Sequence, residues 1–197
     1  MIRRSSTPDR GASLIEVVVV MAAIVSMAGA AAPGAAAAID ARRVRQAAGL
    51  VAGRLRAAKQ LAVFQGRSVG LVFDQVADRW AFRICSDGTG NGLRRADIDA
   101  GTDPCAEGPF DLERMFPGVR ILSDASIRGP DGEAGSTDAV RFGRSDLVSF
   151  SPDGGCTPGS LFLRSASGAQ WIVRIAGVTG RTRVLRYDAP ARAWRES

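Results

Sequence analysis

Hydrophobic and polar positions divide the chain into three stretches. Residues 1–11, MIRRSSTPDRG, are polar, with Arg3, Arg4 and Arg10 set against Asp9. From Ala12 to Ile39 the chain is apolar, and Glu16 is its only charge. A helix from Leu14 to Ile39 would be about 39 Å long, against a bilayer hydrocarbon core of roughly 30 Å. The pattern therefore predicts a membrane-crossing helix over 12–39. Beyond Ile39 the period changes. Val44, Ala48, Val51, Leu55, Ala58 and Ala62 follow steps of four and three, an apolar stripe on one helical face. Arg42, Arg43, Arg45, Arg54, Arg56 and Lys59 lie mostly off the stripe, as a solvated face would. Gln65-Gly66 supplies a stop. One helix, loosened near Pro33, is predicted to run to about Gln65, with residues 40–66 as its amphipathic half.

After Gly66 short strands and turns take over. Ser68–Phe73 and Arg79–Cys85 flank Asp74–Asp78, which reads as a hairpin connection. Further strands are predicted over 119–122, 139–142, 147–150, 160–164, 170–175 and 182–187, with turns at Asp131-Gly132, Asp153-Gly154-Gly155 and Ser167-Gly168. The expected fold class is α+β: a long N-terminal hydrophobic helix packed on a mainly antiparallel β domain of two sheets, over 67–197. No internal repeat is visible.

Composition narrows the chemistry. A chain of 197 residues holds one domain with its own core and an added helix, not two large domains. It contains no histidine, which removes Ser-His-Asp and Cys-His catalysis and the commonest transition-metal ligand. No enzyme, metal, cofactor or small-molecule substrate is expected. Net charge is +6 and Lys59 is the only lysine. Such a basic surface suits nucleic acid or anionic lipid, although an Arg- and Ala-rich composition also follows from a GC-rich genome. Cys85, Cys105 and Cys156 suit an oxidising compartment with one disulfide and one spare thiol.

The arginines ahead of the apolar segment place the N-terminus in the cytoplasm and the domain outside the inner membrane. A secretory signal would be cleaved after its apolar core, and the Ala-rich run over 29–38 offers such sites. The apolar run is too long for that reading, and Glu16 inside it costs about 2.5–3.5 kcal/mol at mid-helix on insertion scales, less near the end. The run Arg10-Gly11-Ala12-Ser13-Leu14-Ile15-Glu16 followed by Val17–Val20 resembles the class III signal of type IV pilins and type II secretion pseudopilins. The resemblance implies that a membrane aspartyl prepilin peptidase cuts between Gly11 and Ala12 and that Ala12 is N-methylated. Glu16 then becomes the fifth mature residue, paired with the N-terminal amine of a neighbouring subunit during assembly. The family usually begins with Phe, and Ala12 departs from that. Pro33 with Gly34 matches the family's proline within the apolar helix. Small residues from Ala22 to Ala38 let helix backbones approach closely.

Two motifs lie in the globular part. Asp87, Thr89 and Asn91 alternate ahead of Gly92, partly like a calcium loop, but an EF-hand needs a bidentate carboxylate at loop position twelve, and Ile98 stands there. The other reading is an ordered excursion closed by Cys85 and Cys105, a crosslink worth roughly 3 kcal/mol in the chain-entropy estimate. Cys156 is then spare, or replaces one partner. Near the C-terminus, Gly180-Arg181-Thr182-Arg183 resembles the G-R-x-R motif of DNA-binding minor pilins. Arg181 and Arg183, at i and i+2 of a strand, share one face and suit successive phosphates of double-stranded DNA. Arg186, Arg192 and Arg195 would extend the strip, with Trp194 as a stacking surface. Element order and these motifs resemble the GspH/FimT family of minor pilins and pseudopilins. What the resemblance implies is a filament subunit whose partners are other pilins or pseudopilins. Two readings stay open: a DNA-contacting minor pilin of a type IV pilus, and an H-type pseudopilin of a type II secretion system.

Overall fold

The computed structural model describes residues 13–177 and 179–197. The leader 1–11 and the pair Gly11 and Ala12 lie outside the described residues. The chain divides into two units, residues 1–38 and Ile39–Ser197.

A helix, α1, runs unbroken over Leu14–Gln65 and so enters both units. In the first unit Leu14, Ile15, Val17–Val20, Met21, Ile24, Val25 and Met27 are all exposed. Among the described residues, no helix is long and apolar enough to cross a membrane. The side chains of residues 28–33 and 35 lie outside the described set, Pro33 among them. The membrane crossing expected over 12–39 is therefore not supported by the described residues.

In the second unit the apolar stripe of α1 is the spine of the core. Val44, Ala48, Val51, Leu55, Ala58 and Ala62 are each 0% exposed, joined by Ala47 and Ala52. Alanine at these positions lets strands approach the helix closely. Gly66, at φ +62°, ends α1 in the left-handed region that glycine adopts without Cβ strain.

The first sheet has four strands in the order β3-β2-β1-β6. Strand β1 (Val69–Val76) and β2 (Arg79–Ser86) form a hairpin in which Val76 pairs with Arg79. The connection is thus Ala77-Asp78, shorter than the expected 74–78. Strand β3 (Cys105–Asp111) pairs with β2, and β6 (Leu147–Phe150) pairs with β1. One face gives Val69, Leu71, Phe73, Phe82, Ile84, Val148 and Phe150 to the main core. The other gives Val72, Cys85 and Leu147 to a small second core with Leu93 and Ile98, the latter on the short helix α2 (Arg95–Asp99). A further short helix, α3 (Leu112–Met115), follows β3.

The second sheet has the order β10-β9-β8-β7-β4, from strands β4 (Val119–Ile121), β7 (Gly159–Ser165), β8 (Gln170–Ala176), β9 (Arg181–Asp188) and β10 (Ala193–Glu196), with β5 (Val140–Arg141) pairing to β7. Every pairing in both sheets is antiparallel. Val119, Ile121, Leu161, Leu163, Val173 and Ile175 share the main core with the helix stripe. By strand alternation Phe162 and Ile172 point the other way, yet both are buried. Segment 122–138 covers that side. The Trp194 indole donates to the Arg128 carbonyl at 2.8 Å, and the Arg141 guanidinium lies 4.2 Å from the Phe162 ring centre.

The expected α+β class with two antiparallel sheets is what the structure has. The helices α2 and α3 and the strands β3 and β10 were not expected from the sequence.

Candidate functional site

The β8–β9 hairpin positions the two candidate arginines. Ala176 pairs with Arg181 and Arg174 with Arg183, so Arg174, Ala176, Arg181 and Arg183 share the sheet face turned away from α1. Thr179, ahead of β9, is tied to α1, where the Lys59 ammonium donates to its carbonyl at 2.8 Å. Gly180 has φ +59°, and a Cβ there would stand 3.0 Å from Lys59 Nζ. The glycine therefore serves the turn and makes room for Lys59.

Arg181 and Arg183 are both exposed. Arg181 has Glu196 at 3.8 Å, whereas Arg183 makes no ion pair among the described residues. The other arginines of this face are neutralised. Arg174 pairs with Asp131, Arg164 with Asp124 at 3.5 Å, and Arg141 with Glu133 at 3.9 Å. The Arg174–Asp131 hydrogen bond lowers the Asp131 pKa and raises that of Arg174. Pro130, Asp131, Leu185 and Trp194 complete the wall of a cavity of about 430 Å³ that Arg174, Arg181 and Arg183 also line.

The remaining members of the expected strip are not on this face. Arg186 pairs with Arg195 across β9 and β10, one residue out of phase with Arg183 and Leu185, so both point to the side of α1. Arg195 is also held by Asp188 at 2.9 Å. Arg192 sits in the β9–β10 turn at φ +48°. Trp194 is half-buried, edge-on to Phe162 and tilted against Tyr187, with its N–H used by Arg128. Its ring also lines the cavity beside Arg181 and Arg183. Asp131 was missed at the sequence level, because nothing local marks a loop carboxylate that lands on a strand far along the chain.

The 87–103 loop is built from the inside. Asp87 accepts from the N–H groups of Thr89, Gly90 and Gly92 at 3.0, 2.7 and 2.7 Å. Asp103 accepts from those of Gly88 and Arg94 at 2.9 and 3.2 Å. The Asn91 amide donates to Asp97 at 3.1 Å. Burial is the largest single influence on Asp87 and raises its pKa, but the N–H groups of Gly92, Gly90, Thr89 and Asn91 together outweigh it and hold the carboxyl below its usual range. Ile98 is buried in the small second core. The carboxylates thus cap backbone donors, and among the described residues no cluster of carboxylates and cysteines is arranged for a metal. Cys85 and Cys105 are joined by a disulfide across β2 and β3, and Cys156 is a free thiol.

The family model described as type II transport protein GspH matches residues 47–180, from the amphipathic half of α1 to the glycine ahead of Arg181. The chain belongs to the GspH family. No curated protein and no solved structure matches it. As a GspH-family protein it is a pilin-like minor subunit of the type II secretion and type IV pilus kind, structural in role, whose family implies contact with other pilins or pseudopilins. The matched region of this GspH chain starts past Glu16 and stops before Arg183. Glu16 lies in the first turn of α1, three residues after Ser13, the spacing of a capping box, where the helix dipole favours a carboxylate.

Proposed function

We propose that the chain is a minor pilin of a type IV pilus that assembles through α1 and contacts double-stranded DNA with β9. In this reading prepilin peptidase cuts between Gly11 and Ala12, and the new N-terminus is methylated. The apolar half of α1 holds the subunit in the inner membrane before assembly, with the N-terminus cytoplasmic and the domain periplasmic. Glu16 pairs with a neighbour's N-terminal amine in the filament.

One contrast carries the DNA reading. On a face where Arg141, Arg164, Arg174 and Arg181 each have a carboxylate within 3.9 Å, Arg183 has none among the described residues. An unpaired guanidinium beside one whose only pair is exposed, on the same strand face, suits phosphates and not a packing role. The contact is with the backbone and carries no sequence preference.

The test is a titration of the full chain, in neutral detergent, with duplex DNA between about 50 and 200 mM salt, where backbone binding weakens steeply. Changing Arg181→Ala and Arg183→Ala should reduce the slope of log K against log salt by about 2. A double variant that binds like the parent removes these arginines from the function.

The description of the matching family supports a second reading, a pseudopilin of a type II secretion system. It expects no DNA binding at physiological salt, and capture of the domain by other pseudopilins.

A further inference from the structure

The exposed side of the amphipathic half of α1 has a pattern of its own. Arg42, Arg45, Gly49, Gly53, Arg56, Gln60 and Val63 recur in steps of three and four and are all exposed. This face borders the β9–β10 edge of the second sheet, and the seam between them is hollow at both ends. At one end a cavity of about 370 Å³ is lined by Arg42, Arg45, Arg186 and Arg195, with Trp171 in its wall. At the other a cavity of about 880 Å³ is lined by Arg56, Lys59, Gln60, Phe64 and Arg181. Glu196 borders both.

Three observations make this seam unlike the rest of the surface. Arg42, Arg45, Arg56 and Arg186 form no ion pair among the described residues. Elsewhere Arg83 and Arg95 pair with Asp74, and Arg120 with Asp78. The acidic groups at the seam are Glu196, 3.8 Å from Arg181, and Asp188, 2.9 Å from Arg195, against seven basic side chains. Next, Gly49 and Gly53 lie between the two basic ends, and a Cβ on either would meet nothing within 4 Å. Glycine inside a helix costs about 1 kcal/mol relative to alanine. Nothing in the packing of the chain asks for that cost, and its effect is a bare backbone floor between the basic ends. Finally, Trp171 is 3% exposed, and its indole N–H is a buried donor with no partner.

We propose that this seam is a second nucleic-acid site, a groove that takes the sugar-phosphate backbone of double-stranded DNA along α1 and hands it round the sheet edge to Arg183. From Arg42 to Arg56 the helix covers about 21 Å. Arg181 lines both the seam and the β9 cavity, which makes the two basic surfaces continuous. The glycine floor admits a strand that side chains would hold off. Charge decides the occupant. A partner helix lying on Gly49 and Gly53 would meet uncompensated arginines at both ends, whereas a polyanion neutralises them. The proposal rests on the reading of the chain as a DNA-contacting subunit.

The experiment titrates the full chain in neutral detergent with a 20-base-pair duplex (about 68 Å long) and with vesicles of phosphatidylglycerol. The variants are Arg42→Gln with Arg45→Gln and Arg56→Gln, then Gly49→Gln with Gly53→Gln, then Arg181→Ala with Arg183→Ala. The arginine-to-glutamine triple variant should lower the salt slope by about 3 and weaken duplex binding at least tenfold, with an unchanged melting temperature. The glycine variant should melt at the same or a higher temperature, because glutamine favours helix, and still bind duplex several-fold more weakly. That split between stability and binding is one a merely structural role would not produce. If Arg181 and Arg183 are needed but both seam variants bind like the parent, the seam is overturned while the DNA reading stands. If the parent binds no duplex, both fall. Seam-dependent binding to vesicles in that case would assign the groove to anionic lipid.

Discussion

Asp87 organises its loop as a single acceptor for three backbone donors, and it is 4% exposed. Its pKa in the folded chain lies below the usual carboxylate value, so the stability it contributes is fully present above about pH 4 and is lost as pH falls through the depressed native value. Asp87→Ala should therefore lower stability by about 2 kcal/mol near neutrality. The gap between parent and variant in urea midpoints should close on acidification to about pH 2. A gap that stays constant with pH would mean that the carboxylate charge does not hold the loop. Gly180 is the other single position with a decided role. Alanine there would have to hold φ +59° with its Cβ 3.0 Å from the Lys59 ammonium. A loss of about 1–2 kcal/mol follows from the left-handed backbone alone. The thermal shift of Gly180→Ala measures it, and no shift would put the conformational account aside. At this scale the sequence was legible for Arg181 and Arg183, because strand alternation decides which residues share a face. The same alternation puts Arg186 on the opposite face, and only the strand β10, unmarked in the sequence, brings Arg195 to pair with it there.

At the scale of elements, the α1 stripe was legible because six positions follow the helical period and their burial has no competing explanation. The strand β3 was hidden for the opposite reason. Its residues CAEGPFD are mostly exposed and carry Gly108 and Pro109, so neither alternation nor β-propensity marks them. What holds β3 is tertiary: the disulfide to β2, and Arg54 of α1, which pairs with Glu107 at 2.6 Å and lies 4.9 Å from the Phe110 ring centre. Arg54, read from sequence as part of a solvated face, is thus a tether from helix to sheet. The stripe itself is where the helix and both sheets meet. Leu55 is 0% exposed within that core, and Leu55→Ala should cost about 2–5 kcal/mol, through lost transfer energy and the cavity left behind. Chemical denaturation of the full chain in detergent measures this. Val63, on the exposed side of the same helix, gives the control, since Val63→Ala should fall within about 0.5 kcal/mol of the parent.

At the scale of the whole molecule, the part most legible in sequence is the part for which the fold of a single chain has least to say. The second unit closes its own core. In the first, the large apolar side chains from Leu14 to Met27 are exposed among the described residues. Such a surface is stable only in lipid or against other subunits. Glu16 sits within this surface, and its desolvation cost must be offset by a cation once the surface is covered. Under the proposed function that cation is the N-terminal amine of a neighbour, and it exists only after cleavage. Two variants then separate processing from assembly. Replacing Gly11 by a bulkier residue should leave the chain at precursor size and outside the filament. Glu16→Leu should be cleaved normally and accumulate in the membrane, yet fail to enter filaments, because removing the charge favours lipid while erasing the register contact. Glu16→Gln should behave as Glu16→Leu does, since it keeps shape and polarity but not charge. Electrophoretic size and the amount of subunit in sheared filaments read both steps. If Glu16→Gln assembled like the parent, the first-turn carboxylate would act through helix capping, which an amide also provides, and not through pairing between subunits.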